Sequence, residues 1–232
     1  GNVTVKPGTD SFTGPATTAA DSGLFSTQDD DGTTYYYRGV LSDDTVNNWV
    51  DFAGYKWRII RINGDGSIRM IYNGSSYTTT GTGTQLQTSA FNENYNHNAY
   101  VGYMYGTTAN DYASTHVNNN SSTIKGILDT WYKTNIVDKN FDKYISKEAG
   151  FCGDRQVVTG QVSGYSGNGG GTSQTLYAPY ARLYSKNSWK TTQTPTYSCK
   201  TNDLYTVSTS SKGNTSLTYP VGLIASDEVV YA

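Results

Sequence analysis

The sequence predicts an α+β fold, in which an antiparallel sheet with a central β-hairpin at 55–72 precedes two helices and a loop-rich second half. Three observations predict it. Two runs rich in β-branched and aromatic residues flank an Asn-Gly-Asp-Gly segment at 63–66. Between about 122 and 149, apolar residues recur at helical spacing. Beyond Cys152 the chain is rich in Gly, Ser and Thr, and its apolar runs are short.

The hairpin is the clearest local feature. Residues 55–62 and 67–72 favour strands, and the Gly residues between them tolerate the positive φ angles that a tight reversal needs. Another strand is expected at 33–40, directly after the acidic turn at 29–32. Further strands are expected at 177–184, 203–208 and 217–224, the last of them buried.

The hairpin carries three of the chain's arginines, Arg58, Arg61 and Arg69. They are interpreted either as a site for an anion or carboxylate, or as ordinary cross-strand partners of acidic residues. The second interpretation is preferred. The acidic partners it proposes are Asp43, Asp44 and Asp51.

The helical region has two parts. Ser121 or Ser122 can cap the first helix, whose apolar residues recur at three- and four-residue spacing from Ile124 to Ile136. A second amphipathic segment begins at Asn140 and ends at Gly150. Its lysines are interpreted as a solvated face.

The expected domain organisation is a leader or linker at 1–23, whose order depends on docking, followed by one α+β domain at 24–232. The leader is rich in Thr, Gly, Pro and Ala and has no periodicity. Ser226 is expected to cap a helix that has only begun at Ala232, so the domain is expected to be incomplete at its C-terminus.

Composition excludes several classes of function. The net charge of -2 argues against nucleic-acid binding, which needs a basic face, and no apolar run approaches the length of a membrane span. Charged residues make up only 16% of the chain, whereas Thr, Ser and Asn together make up about a third. Solubility through hydroxyl and amide groups is typical of secreted and wall-associated bacterial proteins.

The chain has two cysteines, Cys152 and Cys199, and neither belongs to a C-x-x-C pair. In an exported protein such a pair predicts one disulfide. The alternative is two unrelated free thiols. The compartment inferred from composition favours the disulfide.

Several segments resemble a family of uncharacterised exported proteins from gut Bacillota (Firmicutes), and the resemblance spans roughly residues 23–232. Its most specific part is the hairpin motif WRIIRINGDGSIRMIY, at 57–72. That motif lies within a longer matching segment at 47–74, NNWVDFAGYKWRIIRINGDGSIRMIYNG. The other matching segments are GLFSTQDDDGTTYYYRG at 23–39, YVGYMYGT at 100–107, STIKGILDTWYKTN at 122–135, GFCGDR at 150–155, DLYTVS at 203–208 and YPVGLIASDEVVYA at 219–232. The resemblance implies an extracellular location on the bacterial cell surface. It also implies a fold like that of C-type lectins or formylglycine-generating enzymes. The last strands of such a fold are expected to be missing from this sequence.

No motif for catalysis is evident. The region around Cys199 lacks the downstream arginine that a sortase uses, and His97 and His116 lie in Asn-rich segments without motif context. There is no G-x-S-x-G elbow and no phosphate-binding loop. The protein is therefore expected not to be an enzyme and to need no cofactor.

Two sets of residues are candidates for binding. Aromatic side chains on a polar scaffold offer contact surface for proteins and glycans. The candidates for such a surface are Phe91, Tyr95, Tyr100, Tyr103, Tyr105 and Tyr112. Calcium is considered at the acidic turn, although the turn lacks the spacing of a calcium loop. The candidate ligands are Asp29, Asp30 and Asp31.

The predicted function is that of a non-enzymatic bacterial surface protein, either adhesin-like or a structural subunit of a surface appendage. Its expected partners are other protein chains, with self-assembly included, or glycans of host or bacterial origin. A carbohydrate-binding, lectin-like module is the first alternative. A cryptic hydrolase is the second.

Overall fold

A computed structural model describes residues 4–9, 11–16, 18–39, 47–93, 100–106, 112–158, 176–185 and 188–232. The chain divides into two compact units. Unit 1 comprises Gly1–Thr88, Thr191–Ser198 and Ser226–Ala232. Unit 2 comprises Ser89–Lys190 and Cys199–Ala225. The expected boundary at residue 23 and the expected single domain at 24–232 stay predictions.

Unit 1 is built on a six-stranded sheet, which together with the short helices confirms the α+β class. The strands are β1 (Val5–Pro7), β2 (Gly23–Asp29), β3 (Gly32–Arg38), β4 (Trp49–Phe52), β5 (Tyr55–Ile62) and β6 (Ile68–Tyr72). β1 pairs with β2 in parallel, so part of the expected leader belongs to the sheet. The remaining pairs, β2–β3, β3–β5, β4–β5 and β5–β6, are antiparallel.

The β5–β6 hairpin confirms the central prediction. The amide of Asn63 donates to the carbonyl of Ser67 at 2.8 Å, and the amide of Gly66 donates back to the carbonyl of Asn63 at 2.8 Å. Gly66 has φ 85°, which explains the preference for glycine at that position. The ladder shifts register between Ile59 and Arg61.

The core of unit 1 contains a cluster of four buried aromatic rings: Phe12, Tyr36, Tyr197 and Tyr231. The rings of Tyr197 and Tyr231 stack with their centroids 4.1 Å apart, and the hydroxyl of Tyr231 donates to the carbonyl of Pro195 at 3.0 Å. Tyr231 is supplied by helix α4, whose range is Ser226–Tyr231. Tyrosine rings, each with one polar atom, therefore supply most of this cluster.

Two hairpin arginines have partners other than those predicted. Arg69 forms an ion pair with Glu228 at 3.0 Å, with both side chains 10% exposed. Arg61 donates to the side-chain oxygen of Asn63 at 2.7 Å, and its guanidinium lies 4.2 Å from the ring centroid of Tyr197. Glu228 was missed because 159 positions separate it from Arg69 in the sequence.

The predicted pairing of an arginine with Asp51 is wrong. Asp51 lies opposite Lys56 in the β4–β5 ladder, and these side chains form an ion pair at 2.7 Å. Arg58 instead donates to the side-chain oxygen of Asn48 at 2.8 Å and lies 3.5 Å from the ring centroid of Trp49. The other two predicted partners, at 43 and 44, fall outside the described residues.

Unit 2 contains short strands and short helices. The strands are β7 (Met104–Tyr105), β8 (Asn120–Ser121), β9 (Phe151–Cys152), β10 (Tyr184–Ser185), β11 (Ser188–Trp189) and β12 (Leu204–Tyr205). The α-helices are α1 (Tyr112–Thr115), α2 (Thr123–Tyr132) and α3 (Ala178–Leu183). Three antiparallel pairs form, β7–β8, β9–β12 and β10–β11.

Helix α2 follows the sequence prediction. The side-chain oxygen of Ser122 accepts from the amide of Lys125 at 3.2 Å and caps α2. A π-helical turn, Lys133–Val137, extends α2. Of the second predicted helix, at 140–150, only a 3-10 turn forms, Asp142–Tyr144. Asn140 adopts φ 63°, so the chain leaves the helical path of the preceding turn at this residue.

Two of the predicted strands are wrong. The segment at 177–184 is mostly helix α3, whose second residue is Pro179, a position where proline costs no helical hydrogen bond. Of the segment at 217–224, only Leu217 forms a β-bridge, with Val207. Leu223 and Ile224 are 36% and 38% exposed, so this segment is not a buried strand. Across the ranges that the structure describes, no helix has both the length and the apolar character needed to cross a bilayer.

Candidate functional site

The predicted aromatic candidates differ in exposure. Phe91 is 39% exposed, and Tyr100, Tyr105 and Tyr112 are half-buried. Tyr103 is buried and packs edge-on against the ring of Tyr205, with centroids 6.1 Å apart, so it contributes to the interior of unit 2. The sixth candidate, Tyr95, lies outside the described residues.

We call the four accessible candidates the aromatic set: Phe91, Tyr100, Tyr105 and Tyr112. The rings of Tyr100 and Tyr105 contact each other edge-to-face at 4.9 Å. The backbone around the set is joined by hydrogen bonds, because Asn92 donates from its side chain to the carbonyl of Tyr100 at 2.7 Å. The carbonyl of Phe91 accepts from the amide of Ile124 at 3.2 Å.

His116 and Tyr177 lie beside Tyr112, and the sequence had not linked them to it. The rings of Tyr112 and His116 stack at 3.9 Å, and the ring of Tyr177 lies 5.8 Å from that of His116. The Nδ1 atom of His116 is 2.7 Å from the carbonyl oxygen of Tyr112. Burial lowers the pKa of His116 and raises the pKa of Tyr177. Both groups are therefore neutral near pH 7, and the stack carries no charge.

The predicted disulfide is present between Cys152 and Cys199. Beside it, β9 and β12 pair so that Cys152 lies opposite Leu204. The amide of Gly153 donates to the carbonyl of Asp203 at 2.8 Å. The covalent bond and the strand pair together bring Arg155 close to Asp203, although 48 positions separate them in the sequence.

Arg155 is 1% exposed and joins Asp203 to the backbone beside Tyr105 and to Asn118. Its Nε donates to the carboxylate of Asp203 at 3.3 Å, one Nη donates to the carbonyl of Met104 at 2.8 Å, and the other donates to the side-chain oxygen of Asn118 at 3.0 Å. The hydroxyl of Tyr205 donates to the same Met104 carbonyl at 3.0 Å. The backbone beside Tyr105 is thus held by two buried donors.

The close packing of this network constrains its neighbours. Burial raises the pKa of Tyr205 to about 12, so its hydroxyl keeps its proton and remains a donor at neutral pH. Gly102 has φ 92°, and a Cβ atom there would lie 3.0 Å from both Arg155 Cδ and the Tyr205 hydroxyl. Glycine at 102 thus lets the chain approach the network between Tyr100 and Tyr105.

The acidic turn has a structural role. One carboxylate oxygen of Asp29 accepts from the amide of Asp31 at 2.9 Å, and the other accepts from the amide of Gly64 at 2.8 Å. This carboxylate therefore ties the β2–β3 turn to the β5–β6 turn. In the described parts of the chain, no group of three or more His, Cys, Asp or Glu side chains is placed to hold a metal ion. Calcium binding at Asp29, Asp30 and Asp31 stays a prediction.

The disulfide bears on catalysis as well. Both cysteines of the chain are oxidised, so neither is a free thiol nucleophile in this structure. His97 lies outside the described residues, and His116 takes part in the aromatic stack described above.

Neither a protein-family model, nor a curated protein, nor a solved structure resembles the chain to a significant degree. The resemblance to exported Bacillota proteins, and the lectin-like fold it implies, stay predictions.

Proposed function

We propose that the protein is a non-enzymatic, adhesin-like protein of the bacterial cell surface, which contacts protein partners through the aromatic set of unit 2. The observation that carries this proposal is the buried Arg155 network, which holds the backbone beside accessible aromatic rings. Tyrosine gives a large, amphipathic contact area for a small loss of side-chain entropy, and it is common at binding surfaces.

Pre-organisation supports a binding role. A contact segment that is ordered only on binding loses conformational entropy at that moment, which lowers affinity. Met104 is fixed by donors from Arg155 and Tyr205, and Tyr105 follows it directly. The backbone around Tyr105 therefore loses much of its conformational entropy when unit 2 folds and not when a partner binds.

The disulfide supports an extracellular location, because such bonds persist in oxidising compartments. The composition agrees, since hydroxyl and amide groups rather than charges keep the chain in solution. Attachment to the cell surface, as an adhesin or as a subunit of an appendage, is part of the proposal.

The experiment compares binding of the wild-type chain with that of Tyr100→Ser/Tyr105→Ser. Tyr144→Ser is the matched control, because Tyr144 is 68% exposed and outside the aromatic set. Two readouts are used: adherence to immobilised fibronectin, fibrinogen, collagen and mucin, and reversible self-association by sedimentation velocity. Loss of one central tyrosine contact weakens binding by about tenfold or more.

The proposal predicts that the wild type adheres saturably to one of these proteins or self-associates. It also predicts that this adherence or self-association is weakened in the double variant and unchanged in Tyr144→Ser. It is overturned if the wild type does neither. It is also overturned if Tyr144→Ser is impaired as strongly as the double variant. Circular dichroism of all three proteins verifies that they are equally folded.

A further inference from the structure

Unit 1 contains a pocket of about 400 Å³ between the sheet and the segment that links β1 to β2. Among the described residues, its wall combines aromatic rings, hydroxyl groups, one carboxylate and one guanidinium. The lining residues that matter for the argument are Ser11, Thr13, Asp21, Phe25, Tyr36 and Arg38. The volume lies at the lower end of the range for small-molecule sites, roughly 300–1,000 Å³.

The wall is held by buried contacts. One Nη of Arg38 donates to the carbonyl of Gly14 at 2.6 Å, and the other donates to the carbonyl of Val230 at 3.0 Å. The same guanidinium lies 4.5 Å from the ring centroid of Phe12. Phe12 in turn exchanges two backbone hydrogen bonds with Gln193, at 2.8 and 2.6 Å. The segment over the sheet is therefore anchored at two points of the pocket wall.

The aromatic side of the pocket is a stacked pair. The rings of Phe25 and Tyr36 are 5.6 Å apart and inclined by only 20°. Tyr36 is 1% exposed and belongs to the core, whereas Phe25 is half-buried. Phe25 is thus the more accessible ring of the pair. The Nζ atom of Lys6 lies 5.4 Å from its centroid, so a ligand would share the ring with this ammonium group.

The charges of the pocket select against charged ligands. The carboxylate of Asp21, which accepts from the hydroxyl of Thr18 at 2.9 Å, disfavours an anion. The guanidinium of Arg38 disfavours a cation and already donates to two carbonyl groups. A purely apolar ligand would strip water from the hydroxyls of Ser11 and Thr13 without replacing its hydrogen bonds. A small ligand without net charge, with hydroxyl groups and an apolar face, fits this lining.

We propose that this pocket binds a neutral mono- or disaccharide, with Phe25 against the C–H face of a sugar ring and Asp21 accepting from its hydroxyls. This proposal is independent of the aromatic set, which belongs to unit 2. It gives the chain a carbohydrate specificity separate from its protein contacts.

The test is saturation-transfer NMR, followed by isothermal titration calorimetry, on the full chain. The probes are glucose, galactose, mannose, N-acetylglucosamine, lactose and cellobiose, with glucuronate and glucosamine as charged comparators. Two variants alter the pocket, Asp21→Asn and Phe25→Leu. The control is Asp30→Asn, which removes an exposed carboxylate that does not line the pocket.

At least one neutral sugar is expected to bind saturably. Asp21→Asn is expected to weaken the binding of that sugar by about tenfold or more, as for loss of a hydrogen bond to a charged group. Phe25→Leu is expected to weaken it as well, because the aromatic contact surface is lost. Asp30→Asn should bind like the wild type. The proposal fails if no neutral sugar saturates, if the charged comparators bind more tightly, or if Asp21→Asn binds as the wild type does. Asp21 is exposed, so its isosteric replacement by Asn should leave folding intact. Asp21→Asn therefore tests the proposal even if Phe25→Leu impairs folding.

Discussion

Arg155 and Asp203 form an ion pair almost completely removed from solvent. The Nε–Oδ1 distance is 3.3 Å, and the two side chains are 1% and 6% exposed. Burying two charges is costly, and the cost is offset only when the remaining donors and acceptors are satisfied. Arg155 meets that condition with two further hydrogen bonds, to Met104 and Asn118. The pair therefore links the disulfide region to the segment that carries the aromatic set.

Replacing Arg155 with Met should destabilise unit 2 by about 3–5 kcal/mol, because the Asp203 carboxylate would be left buried without its charged partner. Urea denaturation measures the change. Lys133→Met is the control, since the Lys133–Asp138 pair is solvent-exposed and its loss should leave stability near that of the wild type. Equal effects of the two variants would show that the buried pair is not a major support of unit 2.

The sequence could predict those features that depend on neighbouring residues. The β5–β6 hairpin is one, because its turn chemistry and both strands lie within a short stretch of chain. The cap by Ser122 is another. The disulfide was predictable for a different reason, since a chain with only two cysteines allows only one pairing. These predictions needed no knowledge of distant contacts.

The other features of the fold and of the candidate site depend on contacts between distant parts of the chain. Nothing near Arg69 indicates Glu228 as its partner, and nothing near Arg155 indicates Asp203. The aromatic set was only partly predicted for the same reason. Tyr103 has the same local sequence character as Tyr105, yet it is buried because its ring packs on Tyr205. Spacing alone does not show which tyrosine of a polar segment faces inward.

Reduction of the disulfide should lower the melting temperature of unit 2. The bond closes a loop of 47 positions, and the chain-entropy relation gives a stabilisation of about 4 kcal/mol for a loop of that length. For a chain of this size the shift corresponds to roughly 8–16 °C. Calorimetry with and without reductant measures it, and Cys152→Ser/Cys199→Ser should melt like the reduced wild type. An unchanged melt would mean that the bond does not constrain the unfolded chain.

Two glycines of the β5–β6 turn, Gly64 and Gly66, should not tolerate substitution by alanine. At Gly64 a Cβ atom would contact the carboxylate of Asp29 and lie 2.7 Å from the amide nitrogen of Gly32, so Gly64→Ala should destabilise unit 1 through a steric clash. Gly66→Ala should also destabilise it, by about 1 kcal/mol, because φ is 85°.

Gly126 provides the matched control. It lies inside α2, and a Cβ atom added there would meet nothing within 4 Å, so Gly126→Ala should stabilise the protein by about 0.5–1 kcal/mol. Chemical denaturation compares the three variants. If Gly64→Ala proved as stable as the wild type, the close approach of the β2–β3 and β5–β6 turns would be refuted.

The stability of unit 2 should fall when the pH drops below about 6.5, because of His116. Burial lowers the pKa of this imidazole in the folded chain, whereas in the unfolded chain the pKa stays near 6.5. Below that value the unfolded chain binds the proton more readily, so protonation favours unfolding. As the pH falls, the free energy of unfolding decreases until the pH reaches the folded-state pKa, and below that pKa it stays constant. Carboxylates titrate near pH 4, so the interval between about pH 6.5 and 5 separates histidine titration from that of the carboxylates. The chain also contains His97, and a variant of His116 distinguishes the contributions of the two histidines.

The measurement is urea denaturation at several pH values in that interval, with the folded-state pKa obtained from the NMR shifts of the His116 ring. His116→Gln cannot be protonated and should show a flatter pH dependence than the wild type. A wild-type profile that remained flat would mean that the ring is as accessible to solvent in the folded chain as in the unfolded one. That result would contradict the stack of His116 on Tyr112, and with it the neutral, ordered environment proposed for the aromatic set.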